Sequence, residues 1–169
     1  VYHKFTADQH SLIAVQNLEA LAPGASASSE GIAQVLNEVQ RPDLLMLGML
    51  LHDIGKVYEF SFDRAVEYTD AGQLLGHLVM EVEMVNKKIA TLPEFPEELA
   101  MLVKHMLVSH HGEYEFGSPK LPQTVEAVIL HSLDDLDHHV EGGRRLALED
   151  RLLRAAAARL LVPQGDGLD

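Results

Sequence analysis

Residues 44–51 read LLMLGMLL, eight positions without a charged or strongly polar side chain, and the next two residues are His52 and Asp53. A helix that is apolar on every side has no face to turn to water, so it runs through the interior of its fold. This one delivers an imidazole and a carboxylate at its buried end. An ionised carboxylate is costly to hold there alone; it needs a cation, a metal ion or strong donors. The rest of the chain must wrap around this segment and supply partners for Asp53.

Candidate partners recur in one order: His10, then His52-Asp53, His77, the doublet His110-His111, and Asp134. His77 lies between Leu74-Leu75-Gly76 and Leu78-Val79-Met80, and the small Gly76 would let a neighbouring element approach closely. His110 and His111 are about 100° apart around a helix, so one can ligate while the other points at substrate or a second ion. Asp134 shares a helix face with His131 and His138 by three- and four-residue spacing. His131 is at best a support for the ligands; His105, His138 and His139 are surface or supporting groups, and Asp135 and Asp137 surface charges. Each candidate alone is an ordinary core or surface residue. Together, separate helices contribute His or Asp from apolar surroundings, which is how helical bundles build mono- or dinuclear sites. With ten His and no Cys, any metal site here is made of nitrogen and oxygen, a set that Mn, Fe, Co and Ni accept.

Between these residues the periodicity is overwhelmingly helical. Asp8 or Thr6 caps a helix running to about Leu21, with Leu12, Val15, Leu18 and Leu21 inward. A second helix covers Ile32 to Gln40. Pro42 opens a third and Gly55 stops it. A long helix spans about Gly72 to Ala90, with Leu75, Leu78, Val79, Val82, Val85 and Ile89 inward. Another runs from Pro96 to the His110-His111 doublet. One begins at Pro122 and carries Val125, Val128, Ile129, Leu133, Leu136 and Val140, and the last covers Arg144 to Leu161. Residues 57–68 suggest a short hairpin or irregular loop. Residues 112–121, rich in Gly, Pro and Ser, form a substrate-facing loop beside the doublet. The expectation is one all-α domain over residues 1–169, with a loop at 22–29 and a disordered tail from about residue 163.

Composition narrows the function. The formal net charge is −13, from 13 basic and 26 acidic residues. That argues against a surface that coats nucleic acid, which needs a basic stripe. An anionic substrate must be held locally, by metal and a few cations. No run approaches the roughly 18 apolar residues of a membrane span, no secretion leader opens the chain, and the absence of Cys suits a cytoplasmic protein.

The order H…HD…H…HH…D, with HDIGK at residues 52–56, resembles the HD-domain superfamily of metal-dependent phosphohydrolases. The stretch from LLHDIGK through EYTDAGQLLGH to SHHGEYEFGSPKLPQTVEAVILHSLDDLD, residues 50–137, resembles more closely the HD domain of bacterial 3′→5′ exoribonucleases that join an N-terminal OB-fold to this module. Loop residues Asp63-Arg64-Ala65 and Gly117-Ser118-Pro119 match there as well as the ligands do. YHKFTADQHSL at residues 2–12 is similar instead to the HD domain of uridylyl-removing regulatory enzymes, where the histidine matching His10 is a ligand.

The resemblance implies an all-α HD-domain helical bundle with a central metal site holding one or two divalent transition-metal ions. His10, His52, Asp53 and Asp134 would hold one ion, and His77, His110 and His111 a second, bridged by Asp53. Two such ions, about 3.5–4 Å apart, would clamp phosphate oxygens and activate water. Asp53 and Lys56 become the catalytic candidates; Lys56, Arg64 and Lys120 the substrate-binding ones, with Tyr114 and Ser118 as weaker contacts to a base or sugar. For Lys56, a role as a helix C-terminal cation stands beside this one. The implied function is a metal-dependent phosphohydrolase or phosphodiesterase acting on nucleotides or short oligonucleotides. No OB-fold is expected within these residues, which favours small substrates. Two alternatives remain open: a catalytically silent regulatory module that binds metal or nucleotide, and a catalytic subunit dependent on a partner protein that supplies substrate recognition; whether the chain forms a homo-oligomer is open as well. Arg144, Arg145, Arg151, Arg154 and Arg159 would then form a docking or RNA-contact face, or else an ordinary packed helix with solvated arginines.

Overall fold

Pro42 occupies the first turn of the apolar helix, where its fixed φ suits the geometry and its missing N–H forfeits no bond. The computed structural model describes residues 7–21, 35–62 and 65–138. In chain order these form α1 (Ala7–Leu21), α2 (Pro42–Leu51), α3 (Lys56–Glu59), β1 (Phe60–Ser61), β2 (Glu67–Tyr68), α4 (Asp70–Ile89), α5 (Glu97–Ser109), a 3-10 turn (Tyr114–Phe116) and α6 (Val125–His138). The strands make a minimal antiparallel hairpin with Phe60 opposite Tyr68. Everything else regular is helical, as expected of an all-α fold.

The helix α2 is the axis of the bundle, packed against α1, α5 and α6, while α4 lies against α3 and α5. Leu45 and Met49 of α2 are buried with Met106 and Leu107 of α5 and Ile129, Leu130 and Leu133 of α6. Burying a side chain of this size contributes about 1.5–3 kcal/mol, so these few residues supply much of the cohesion that fixes α2. Among the described residues no helix is long and apolar enough to cross a membrane.

Several expectations need correction. On α1, Leu12 is 55% exposed; the buried positions are His10, Ser11 and Ala14, because the helix is rotated to turn His10 inward. The helix begins at Ala7, so Asp8 lies within its first turn rather than at its cap. Leu75 and Val79 of α4 are also exposed, whereas Leu78 and Val85 are buried. Gly76 explains this: at φ 72°, ψ 162° it breaks the helix and resets its phase, so one continuous stripe does not cross it. That break, rather than a close approach, is what Gly76 provides. Helix α6 starts at Val125 and not at Pro122, because the Thr124 hydroxyl accepts the free Ala127 N–H, 3.1 Å away.

Gly55 does not stop α2, which already ends at Leu51. It has ordinary helical φ and lies between the turn of residues 52–55 and α3. Its need is space: a Cβ there would lie 2.4 Å from the His77 carbonyl oxygen and 2.9 Å from Glu81 Cγ. Of the segment 32–40, residues 35–37 are helical and residues 32–34 lie outside the described residues. Outside them too are the loop at 22–29, Arg64, the side chains of Leu21, Leu136 and His138, Val140, the segment 144–161 with its arginines, and the tail.

Two glycine substitutions separate these packing constraints. Gly55→Ala is expected to cost about 1–3 kcal/mol, since the obstacle is backbone. Gly48→Ala meets only the flexible end of Met106 at 3.1 Å and gains helix propensity of up to about 1 kcal/mol, so it should be close to neutral. Thermal denaturation followed by circular dichroism reads both.

Candidate metal centre

His52 caps the C-terminus of α2, and its Nδ1 lies 2.8 Å from the carbonyl oxygen of Met49. A carbonyl only accepts, so Nδ1 carries the proton and Nε2 presents a lone pair. His110 repeats this at the C-terminus of α5, with Nδ1 2.7 Å from the Leu107 oxygen. His111 Nδ1 donates to the Phe116 carbonyl at 2.8 Å. His77 Nδ1 is 3.1 Å from Glu59 Oε1, and Glu59 also accepts the His77 backbone N–H that the break at Gly76 releases from the helix. Four imidazoles are thus locked in the tautomer that turns Nε2 inward.

These nitrogens converge on Asp53. Its Oδ2 lies 3.7 Å from His10 Nε2 and 3.8 Å from His52 Nε2; its Oδ1 lies 4.0 Å from both His77 Nε2 and His110 Nε2. On the first side, Asp134 Oδ1 is 2.8 Å from His10 Nε2 and 3.4 Å from His52 Nε2. On the second, His77 Nε2 and His111 Nε2 face each other at 3.1 Å. All seven residues read from the sequence as ligands therefore meet in one core. Their ligand atoms form two groups, His10 with His52 and Asp134, and His77 with His110 and His111, each within 4.8 Å.

Lys56 opens α3, and its Nζ reaches both Asp53 oxygens, at 2.7 and 2.8 Å. Lys120 is exposed, and its carbonyl accepts a hydrogen bond from Ser118 Oγ. Ser118 itself is buried, and its hydroxyl reaches only the carbonyls of Val108 and Lys120. It pins the loop and does not point at a substrate. Tyr114 and Phe116, in contrast, are exposed beside His111.

The charges strain against burial. Burial would raise the Asp53 carboxyl, but His52 and Lys56 hold it well below the usual range. Burial also opposes ionisation of Asp134, which the hydrogen bond from His10 and the adjacent His52 ring overcome. His10 and His52 are raised despite their burial, chiefly by Asp134. Burial, with His52 beside it, drives His110 far below the ordinary histidine value, and burial lowers His111.

Sequence reasoning missed two residues, Glu59 and Glu81, and the support it allowed His131 is the one that residue has. Glu59 orients His77, and burial notwithstanding, its hydrogen bond to that ring holds its carboxyl low. His131 Nδ1 donates to the His110 carbonyl at 2.8 Å, fixing the doublet from α6. Glu81 is completely buried, and burial together with the Asp53 charge pushes it up to about 10. Neither Glu81 oxygen has a partner in hydrogen-bond geometry, although the Gly55 amide lies close enough to favour the charged form slightly; His110 Nε2 is likewise without one. The signal for Glu81 was its position four residues after His77, hidden among the other acidic residues of α4. Buried lone pairs and carboxylates lacking donors are the complement of a cation, so the residues present fit one or two divalent transition-metal ions.

The family model of the HD domain matches residues 8–139. A 3′-5′ exoribonuclease YhaM of Bacillus velezensis is 43% identical over 109 residues, which are 64% of this chain and 34% of that protein. One from Geobacillus sp. is 47% identical over 95 residues, 56% of this chain and 29% of that protein. The protein of that name from Bacillus subtilis is 42% identical over 109 residues, again 64% and 34%. The chain thus spans about a third of the length of the curated relatives it matches. No solved structure gives a significant match.

Glu59 touches no other imidazole of the cluster, yet its loss should be felt in metal affinity, because groups that orient a ligating histidine are typically worth 10–100-fold. Glu59→Ala is expected to weaken Mn2+ binding by about that factor in calorimetric titration, with the helical circular dichroism spectrum unchanged.

Proposed function

The chain belongs to the HD domain family, and from that premise we propose that it is a divalent-metal-dependent phosphohydrolase cleaving phosphoester bonds in nucleotides or short oligonucleotides. The observation that carries this reading is the position of Asp53. One of its oxygens faces His10 and His52, the other His77 and His110, so a single carboxylate lies between two groups of ligand atoms. His10, His52, Asp53 and Asp134 would hold one ion, and His77, His110 and His111, with Asp53, a second. When bound, such ions supply Lewis acidity, polarising a phosphoryl oxygen and bringing a water's pKa toward neutrality.

The chain's own residues contribute the rest. The Nδ1–H bonds of His52, His110 and His111 to backbone carbonyls keep the rings from turning, so the donors are organised before any substrate arrives. His110, held neutral by its burial, is no proton donor at ordinary pH. Lys56 brings a positive charge to the Asp53 edge of the site, where a phosphate oxygen would be neutralised. Exposed Tyr114 and Phe116, on the loop that accepts from His111, offer flat faces on which a base can stack. The named relatives are exoribonucleases, which supports a nucleic-acid phosphodiester as substrate over a phosphomonoester.

The test is product chromatography after incubating the Mn-loaded protein with nucleoside monophosphates, cyclic nucleotides and an end-labelled short RNA. Stepwise shortening of the RNA is expected. Asp53→Ala should lower the rate by at least about a hundredfold, more than the 10–100-fold of a group that merely supports a ligand. Consumption of the mononucleotides alone would make the protein a nucleotidase. Silence across the pool, with metal shown to be bound, would sink the enzymatic reading for these substrates.

A further inference from the structure

Among the described residues, the Asp53, His77 and Glu81 group is the third that could hold an ion, and it includes a fully buried carboxylate that the sequence reading did not use. We propose that Glu81 is a metal ligand, completing the ion position that Asp53 and His77 share. The proposal rests on the reading above, that divalent ions occupy this core.

Four observations carry it. Glu81 is fully buried, and both of its oxygens lack a hydrogen-bond partner. A structural role as a protonated acid would require an acceptor for its O–H, and none is in place. One of its oxygens lies within 4.8 Å of both an Asp53 oxygen and a His77 nitrogen. Ligand atoms that share one ion at bonds of about 2.0–2.2 Å would lie no more than about 4.4 Å apart, so side-chain movement alone would bring this set within reach of an ion. Glu81 follows His77 by one turn of α4, which puts both on one helix face directed at the turn that carries Asp53. Finally, that turn is kept bare where Glu81 passes: a Cβ on Gly55 would come within 2.9 Å of Glu81 Cγ. The chain has made room for a carboxylate that no described side chain satisfies.

The experiment compares the full chain with Glu81→Gln, which preserves shape and removes the charge. Both are loaded with Mn2+ and desalted; metal per chain is measured by mass spectrometry, coupling between ions by electron paramagnetic resonance, and affinity by calorimetric titration. Melting in EDTA is run alongside. The wild type should hold two ions with a coupled spectrum, and the variant one ion with an isolated-ion spectrum, while its metal-free melting temperature is equal or higher. Wild-type stoichiometry and affinity in Glu81→Gln would overturn the assignment. So would a metal-free variant that melts several degrees lower, since that outcome marks a structural hydrogen bond. Should the wild type hold a single ion, the dinuclear reading fails separately. Glu81 then stands as a ligand only if the variant binds that ion about tenfold or more weakly, and an unchanged affinity overturns it.

Discussion

Everything in this fold answers to one buried carboxylate. Asp53 follows an apolar helix into the centre of the bundle, where it is 1% exposed. A lone charge in that position is very costly, and a charge whose partner is removed is more costly than a well-packed apolar replacement for both. The chain therefore surrounds Asp53 from every side: His10 from α1, His52 from its own turn, His77 from α4, His110 from the end of α5, Lys56 from α3. Asp134 of α6 then ties the first two together. Leucine and methionine give these helices cohesion, but cohesion alone tolerates many registers. The rotation of α1 that exposes Leu12 in order to bury His10 is a case where the polar constraint overrules the apolar one.

The second requirement is that lone pairs, not N–H groups, face inward. The protein meets it with backbone it already has. Helix C-termini leave carbonyls without intrahelical partners, and His52 and His110 each reach back three residues to such a carbonyl, Met49 and Leu107. One contact satisfies an end-of-helix acceptor and sets a tautomer. The outer layer continues the logic, with His131 holding the carbonyl of His110 itself and Phe116 holding His111. His77 lacks such a carbonyl because Gly76 breaks its helix just ahead of it; Glu59 does the task instead, and takes the freed N–H as well.

This division explains what the sequence disclosed. The seven candidate ligands were legible because they are chemically conspicuous: His and Asp in apolar surroundings have few uses, and all seven converge. Helices were legible from periodicity, with Pro42 and Pro96 marking starts that the structure keeps. Glu59 and Glu81 were not, since an acidic residue in a short segment or on an amphipathic helix is usually just solvated. Only the third dimension shows that Gly76 breaks α4, so Leu75 and Val79 lost their inward places for a reason no linear pattern carries. Likewise Gly55 had the composition of a helix stop, yet its place is set by the His77 carbonyl, a contact between segments some twenty residues apart.

The acidic balance of the chain takes on a different meaning once the core is known. At a net charge of −13, the chain as a whole repels phosphate, and long-range attraction would not be what brings in the nucleotide of the proposed function. Recognition then has to be short-ranged. Within the described residues the means are few and close together: Lys56 at the edge of Asp53, two exposed aromatic rings beside His111, and the imidazoles of His110 and His111, which burial keeps toward the neutral form. Stacking of a base on an aromatic face contributes about 1–3 kcal/mol and is indifferent to sequence. Under the proposed function, a site built this way would gain affinity from the end of a flexible strand or a single nucleotide, whose base is free to stack, and little from a duplex, whose bases are already stacked and whose phosphates would meet a surface of their own sign.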